Sequence, residues 1–538
     1  MSLTSHRIPA SPVFFDKIVW DFLNQQLPSS LSNFLPTKEH IQKIITSFQQ
    51  INFNRPQLLK ILNGQAQSVS NTTPETFQNI QKLADNYTFT ITTGHQLCLF
   101  TGPLYVIYKI SATIQLSQWL QNQFPEYNFV PVFWMASEDH DINEINHFYY
   151  NDHLFQWNQS TNGSPVFSIT TEGLEDVFNS MKISQLFSPE DLELFQQAYL
   201  QHSNYIDATR FLLNELFGKY GLIILNPNEK AFKEKFKDIF YQEIFEKKTY
   251  HSILSTLDLF DKHNFHIQVN PRTINTFLNY NNKRSLIIEN NETFKLKDLD
   301  ITFSKNELEK LLVTQPELFS PNVLLRPLFQ QTILPNLAYI GGSAEIAYWL
   351  ELTSTFDSFS VHYPLLIQRP IIFISPPRIS SKIEKLQIQL SDIFHYNKST
   401  LIKNILDKLN LSINFKAEKQ QVNSIYDNLL KQTENIDKSL IPFVNAEHTK
   451  ALKAIDTLEQ KLNKSIKQKN NIIVNHIEDI YSNFFPDGIM QDRKWNVAYA
   501  SNTLNINTIK NFIDNIIPFS TPQINSDFNF TIIEKSEL

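Results

Sequence analysis

Residues 87–96 read YTFTITTGHQ, and the fold follows from them. The β-branched and aromatic side chains of Tyr87–Thr92 suit a pleated, buried surface, which predicts a strand. Thr93-Gly94-His95-Gln96 reads as the turn that ends it. Gly102-Pro103 then opens a helix, with Pro103 at the first helical position, where a missing N–H does no harm. Leu104, Ile107, Tyr108 and Ile114 fall on one face of that helix. The pattern repeats: Phe129–Met135 is a second strand, and Ser137-Glu138-Asp139-His140-Asp141 is its polar turn. Leu222–Leu225 is a third strand, ended by Asn226-Pro227. Strands alternating with helices predict parallel βαβ units and an open α/β sheet. Ligands of such sheets gather beyond the carboxyl ends of the strands, where both polar turns fall. His95 and Asp141 are therefore expected to share one site, separated by a few to about 12 Å on neighbouring-strand spacing.

Outward from this core the chain changes character. Residues 1–85 are polar, with spaced apolar residues in Lys38–Phe48 and Pro74–Leu83; they are expected to form a helical lead-in packed on a core of residues 86–375 that carries inserted connecting segments. From 376 to 483 glycine is absent and Lys, Gln, Asn and Glu dominate. Val422, Ile425, Leu429, Ile436 and Leu440 recur there at steps of three, four or seven. After Pro442 so do Leu452, Ile455, Leu458, Leu462, Ile466, Ile473, Ile477 and Ile480. This spacing predicts an α-helical coiled-coil domain, and the break at Pro442 an antiparallel hairpin. A lone helix pair leaves much of its seam uncovered, so a homodimer through the coiled coil is expected; the alternative is packing on its own core. Residues 484–538 are expected to return to the core, with Phe528–Ile533 as a last strand.

The chain has 538 residues, a net charge of −7 and 43 phenylalanines. The phenylalanines supply more than one core. The acidic balance argues against broad nucleic-acid binding, which leaves a basic surface. Cys98 is the only cysteine, which excludes an intrachain disulfide and fits a reducing compartment. The first 20 residues lack an apolar run after a basic start, and no stretch approaches the roughly 20 apolar residues of a membrane span. The expectations are a cytoplasmic location, no membrane and no nucleic acid.

His95, in a glycine-containing turn after a strand, can face a ligand and move a proton near neutral pH; the plain alternative is a helix cap. Thr93, Gly94 and Gln96 would add contacts. Asp139 or Asp141 could hold an ammonium or act as a base, with His140 beside them; Glu138 and Asp139 could equally be solvated helix caps. His140, Asp141, Glu144 and His147 are close in sequence but match no zinc spacing, so no permanent metal is expected. Arg272, Arg326 and Arg369 each adjoin a proline in apolar sequence (NPR, LLRP, IQRP). An arginine there must find a partner, either a ligand carboxylate or phosphate or a buried acid of the protein. Asn270 lies beside Arg272. Gly341-Gly342 permits close backbone approach, and Glu345, Tyr348 and Trp349 follow on one helical face, Trp349 being better suited to core packing. Cys98, between Leu97 and Leu99 with no adjacent base, reads as packing.

Five blocks carry a resemblance to a known family. They are TTGHQLCLFTGPLY (92–105), VPVFWMASEDHDINEINHF (130–148), QVNPRTIN (268–275), FSPNVLLRPLFQQTILPNLAYIGGSAEIAYW (319–349) and FFPDGIMQDR (484–493). Their order and spread resemble the bacillithiol cysteine-adding (BshC-like) enzymes. The resemblance implies a Rossmann-like parallel-sheet core similar to class I nucleotidyltransferases, with Thr92-x-Gly94-His95 in place of their H-x-G-H turn. It implies a coiled-coil domain that supports dimerisation. It also implies a ligase that joins cysteine to the glucosamine amine of glucosaminyl malate, the last step of bacillithiol synthesis. Cys98 and Thr353 depart from the family pattern, which more often has Asn and Lys there. ATP or another nucleotide is the cofactor to consider. The competing readings are a nucleotidyltransferase or adenylate-forming enzyme with another substrate, and a non-catalytic coiled-coil scaffold that binds a nucleotide.

Overall fold

Five strands form the central sheet, all parallel, in the order β5-β4-β1-β2-β3: β1 is Thr88–His95, β2 Asn128–Met135, β3 Ile223–Leu225, β4 Asn336–Gly341 and β5 Leu365–Gln368. This computed structural model describes residues 3–31, 38–48, 51, 53–161, 163–524 and 527–535. β1 and β2 are in register from Thr88 opposite Asn128 to His95 opposite Met135. The predicted turn at 93–95 is therefore strand: Thr93, Gly94 and His95 are the last three residues of β1. Close packing explains the extension. The Thr93 hydroxyl donates to Ile340 O at 2.8 Å, and a Cβ at Gly94 would lie 3.3 Å from that of Trp134. Polar residues in so buried a strand need partners. Thr90 and Thr92 both donate to Asn336 Oδ1, at 3.2 and 2.6 Å, and so fasten β1 to β4.

Alternate residues of β2 feed two cores, Val130, Val132 and Trp134 on one face and Phe133 and Met135 on the other. Helix α1 (Leu104–Gln123) is buried along most of its length. Pro103 is its cap rather than its first residue, with φ −75° and ψ 155°. A tight turn at Leu99–Thr101 precedes it and needs Gly102, whose φ is +62° and whose added Cβ would sit 2.5 Å from that of Cys98. Between β3 and β4 lie α2 (Lys230–Glu246), a five-stranded antiparallel sheet that includes Thr276–Tyr280, Lys283–Asn290 and Phe319–Pro321, and α3 (Arg326–Ile333). β4 leads into α4 (Ser343–Glu351). The chain runs outward from β1 through β2 and β3, then returns to the other side of β1 for β4 and β5. The β1/β4 boundary is a topological switch point, where diverging loops leave a crevice.

The lead-in is not wholly helical. Leu3–Pro9 is a strand antiparallel to Asn529–Lys535, which also pairs in parallel with Ile372–Ser375. The helices Lys17–Leu23, Lys38–Phe48, Arg55–Ala66 and Pro74–Lys82 follow it.

The chain divides into two compact units: Met1–Ser375 with Ile489–Leu538, and Pro376–Gly488. The return segment thus begins at Ile489, later than the expected 484. Buried Gln491 anchors it, accepting from Ile374 N at 2.7 Å and donating to Ile374 O at 3.0 Å. The second unit is helical among its described residues. Helices α5 (Lys416–Ile436) and α6 (Ile441–Lys469) form the antiparallel hairpin, tied by Lys419 to Asp456 and Glu459 (both 2.6 Å) and by Tyr426 stacked on His448 at 4.7 Å. The apolar run read as one last segment breaks at Asn470 (φ −107°, ψ 33°), so Ile473, Ile477 and Ile480 lie on a separate helix, α7 (Asn471–Phe484). Among the described residues, no helix is long and apolar enough to cross a membrane.

Candidate active site

The switch point opens into a cavity of about 620 Å³ within the α/β unit. His95, at the end of β1, is held at both ring nitrogens. Nδ1 lies 3.0 Å from Gln96 O, a carbonyl that can only accept, so Nδ1 carries the proton; Nε2 accepts the Tyr105 hydroxyl at 2.7 Å. Burial, helped by the Lys109 charge, lowers the imidazole to about 4, so the ring is neutral at pH 7. Gln96 Nε2 donates to Asp139 Oδ2 (2.6 Å) and Glu144 Oε2 (2.5 Å), tying the end of β1 to the turn after β2. Gly94 lines the cavity beneath Arg326, whose Nη1 would lie 3.5 Å from a Cβ there. Thr93, expected to contact a ligand, does not line the cavity, because its buried hydroxyl is spent on Ile340.

In the turn after β2, Asp139 and His140 line the cavity and Asp141 does not. Asp141 is exposed and caps the short turn Ile142–Glu144, accepting from Asn143 N at 3.1 Å. The carboxylate that shares a site with His95 is Asp139. Burial would raise its pKa, but hydrogen bonds from His140 and Gln96 and the Arg284 charge hold it well below the usual carboxylate range. That makes it a weak base and a good anchor for a cation. His140 Nδ1 accepts from Arg284 Nη1 at 3.2 Å. Glu138 is no solvated cap: it is buried and paired with Lys233, itself fully buried.

The third wall is the start of α4. Glu345 accepts from Gly342 N (2.8 Å), from Tyr339 Oη (2.5 Å) and from Lys109 Nζ (2.8 and 3.0 Å). Burial alone would raise this carboxyl, but the Lys109 ammonium and these donors bring it to about 2. Lys109 is 1% exposed and also donates to Gly94 O at 2.6 Å, so it bolts the end of β1 to the start of α4. Gly342, Glu345 and Tyr348 line the cavity. Gly341 does not; it lies against α4, where a Cβ would press to 3.0 Å from that of Glu345. Trp349 packs in the core, stacked on Tyr339 at 4.6 Å.

Five arginines line the cavity, and they divide by partner. Arg369 is 3% exposed and its Nη1 lies 2.6 Å from Asp492 Oδ2, the buried structural pair weighed as its alternative. Arg284 is buried, donates to Ser320 Oγ (3.0 Å) and Pro321 O (2.8 Å), and lies 3.9 Å above the Phe277 ring. Arg326 rests over Tyr339 and Trp349 and donates to Gln330 (3.1 Å) and to Tyr348 Oη (3.3 Å). Arg272 and Arg493 are exposed at the rim, with Asn270. Among the described residues, none of Arg272, Arg326 and Arg493 has a carboxylate in ion-pair range.

Sequence reasoning missed four of these groups. Lys109 stands inside the apolar run Val106–Ile110, where a lysine must find an acid. Tyr105 closes the 92–105 block, and Arg493 closes 484–493. Arg284, in NNKRSLIIEN, gave no signal. Cys98 also differs from expectation in having an imidazole beside it, with Sγ 3.6 Å from His95 Nδ1. That nitrogen already carries a proton, and burial pushes the thiol up to about 12, so the thiol stays protonated. Among the described residues, no three His, Cys, Asp or Glu side chains are grouped to hold a metal ion.

Comparison with known proteins agrees with this architecture. Residues 1–370 match the family described as "Bacillithiol biosynthesis BshC, N-terminal Rossmann-like domain", and residues 372–526 match "Bacillithiol biosynthesis BshC, C-terminal coiled-coil domain". Curated relatives share the name "Putative cysteine ligase BshC". That of Flavobacterium johnsoniae is 37% identical, over 90% of this chain and 92% of its own. That of Christiangramia forsetii is 36% identical over the same shares. One from Bacillus cereus is 26% identical over 93% and 95%. The chain belongs to the bacillithiol biosynthesis BshC family and is a ligase of that family.

Proposed function

We propose that the cavity joins the carboxyl of cysteine to the glucosamine amine of glucosaminyl malate, forming an amide in the last step of bacillithiol biosynthesis. The observation that supports this most is the trio Arg272, Arg326 and Arg493, which faces one cavity without a protein carboxylate in ion-pair range among the described residues. Guanidinium forks of this kind match carboxylates and phosphates. Arg272 and Arg493, at the exposed rim, suit the two carboxylates of malate. Arg326, deeper and framed by aromatic rings, suits the reacting carboxyl end. Asp139, held ionised, suits the cysteine ammonium.

Amide formation from a free carboxylate needs an activated carboxyl, a neutral amine and donors for the developing oxyanion. Arg326, with Gly94 beneath it and Gly342 nearby, fits a phosphate, so ATP or another nucleotide is the proposed activator; when bound it would supply the leaving group on the cysteine carboxyl. Arg326 and Arg284 then stand ready to donate to the oxyanion. A proton leaving the amine can pass to Tyr105 Oη while Tyr105 gives its own to His95 Nε2. The α5–α6 hairpin, with its uncovered apolar seam, is proposed to pair two copies of the chain.

A strain lacking this gene tests the reading. It should accumulate glucosaminyl malate and contain no bacillithiol, and the wild-type gene should reverse both. Unchanged levels of the two metabolites would reject it.

A further inference from the structure

Asn275 ends the QVNPRTIN block, is fully buried and does not line the cavity. Yet it is bonded to the backbone of two of the three segments that carry unpaired arginines, those of Arg272 and Arg326. Its Oδ1 accepts from Arg272 N at 3.1 Å and its Nδ2 donates to Arg272 O at 2.8 Å. Its backbone carbonyl accepts from Asn322 N at 3.0 Å, and Oδ1 also accepts from Asn322 Nδ2 at 3.0 Å. Asn322 O in turn accepts from Arg326 N at 2.9 Å, at the start of α3. Behind this junction stands Glu243 of α2, fully buried and with no cation in ion-pair range among the described residues. It accepts from Asn275 N (2.6 Å), Asn275 Nδ2 (3.0 Å) and Thr249 N (3.2 Å). Every donor and acceptor of the Asn275 side chain is engaged, and a buried network fully satisfied in this way is rigid.

We infer that Asn275 is a positioning residue: braced by Glu243, it fixes the placement of Arg272 relative to Arg326 and so the spacing of the anionic groups that the cavity accepts. This rests on the reading of those arginines as anion anchors given above. The Asn275 side chain bonds Arg272 directly, and Arg272, read above as an anchor for malate, holds substrate and transition state alike, so its displacement acts on the KM for glucosaminyl malate and leaves kcat in place.

The test compares KM and kcat for glucosaminyl malate across variants of the full chain. Asn275→Ala should raise KM by about tenfold and change kcat by less than about threefold. Asn275→Asp removes the Nδ2 donors and sets a carboxylate against Glu243, so KM should rise similarly. Glu243→Gln alone removes one acceptor of the brace without adding charge, so it should raise KM by a smaller factor, about threefold, and it keeps the test open if the alanine variant fails to fold. A lowered melting temperature with unchanged KM, or a fall in kcat alone, would overturn the inference. Arg272→Ala and Arg326→Ala separate it from the site reading. If both leave KM unchanged, the site reading and this inference fall together. If they raise KM while the Asn275 variants do not, this inference alone falls.

Discussion

In the α/β unit, Lys109, Glu138, Lys233, Arg284 and Asp492 are all buried, and each has a charged or hydrogen-bonding partner. In the α5–α6 hairpin the reverse holds. Ile425, Leu429, Ile436, Phe443 and Leu458 are exposed, neither helix buries a residue fully, and Lys419 makes its ion pairs at the surface. Taking a charge out of water costs several kcal/mol, and mutual attraction repays this only where geometry is good. Such groups persist where they fix a shape. Lys109 joins Gly94 to Glu345, and Gln96 joins Asp139 to Glu144, so the cavity walls are set before a substrate enters. The exposed apolar side chains of the hairpin set no cavity wall, and the proposed pairing of two copies is what would cover them.

The sharpest contrast lies in stability. Lys109→Met strands the Glu345 carboxylate and should cost about 3–5 kcal/mol in denaturant unfolding. Lys419→Met, at the hairpin surface, should leave the transition of the helical unit essentially where it was. Equal effects would erase the distinction between the two regions. Next comes function. Arg326→Ala, which removes an unpaired guanidinium, should lower kcat/KM by about 10- to 100-fold, the worth of a charge-assisted bond, with folding preserved.

A pH experiment refines the picture of the buried cavity. His95 falls from an ordinary value near 6.5 to about 4 on folding, so the unfolded chain binds the extra proton between those values. Stability from this group is full above pH 6.5 and is lost as pH falls towards 4. His95→Asn should therefore flatten that part of the stability profile; a profile identical to wild type would show the ring to be freely titrating. In the hairpin, Ile436→Glu and Phe443→Glu should shift stability by no more than about 0.5 kcal/mol, as at other exposed sites. Self-association, read by light scattering, should nevertheless weaken; unchanged association would place any interface elsewhere. Smallest of all, Cys98→Ala should keep nearly full activity, because the buried thiol is protonated; complete loss in a folded variant would contradict this.

Periodicity made the parallel sheet and the coiled coil legible. Alternating and β-branched runs at 87–92, 129–135 and 222–225 are local signals, and so is the heptad-like seam of α5 and α6. Strand ends were harder: the Thr93–His95 extension depends on β2 lying alongside, a partner far away in sequence. The same holds for the site. His95, Gln96 and Asp139 could be read from their places at the carboxyl ends of strands. Choosing Asp139 over Asp141 needed the long-range contacts from Gln96 and Arg284. Arg369 and Arg326 both looked like arginines in search of an anion, and only the position of Asp492, more than a hundred residues on, separates the paired one from the unpaired one. Gly341 and Thr93 sit next to cavity residues in sequence, but strand geometry turns them away.

The central claim is that this cavity makes the amide, and one reaction tests it directly. Purified protein is mixed with cysteine, glucosaminyl malate and ATP or another nucleotide, and the product is followed by mass spectrometry beside the Arg326→Ala and Asp139→Asn variants. The account predicts the cysteinyl amide with the wild-type protein and a loss of at least about tenfold in rate with either variant. No amide from the wild type with any nucleotide, or wild-type rates from both variants, would contradict it.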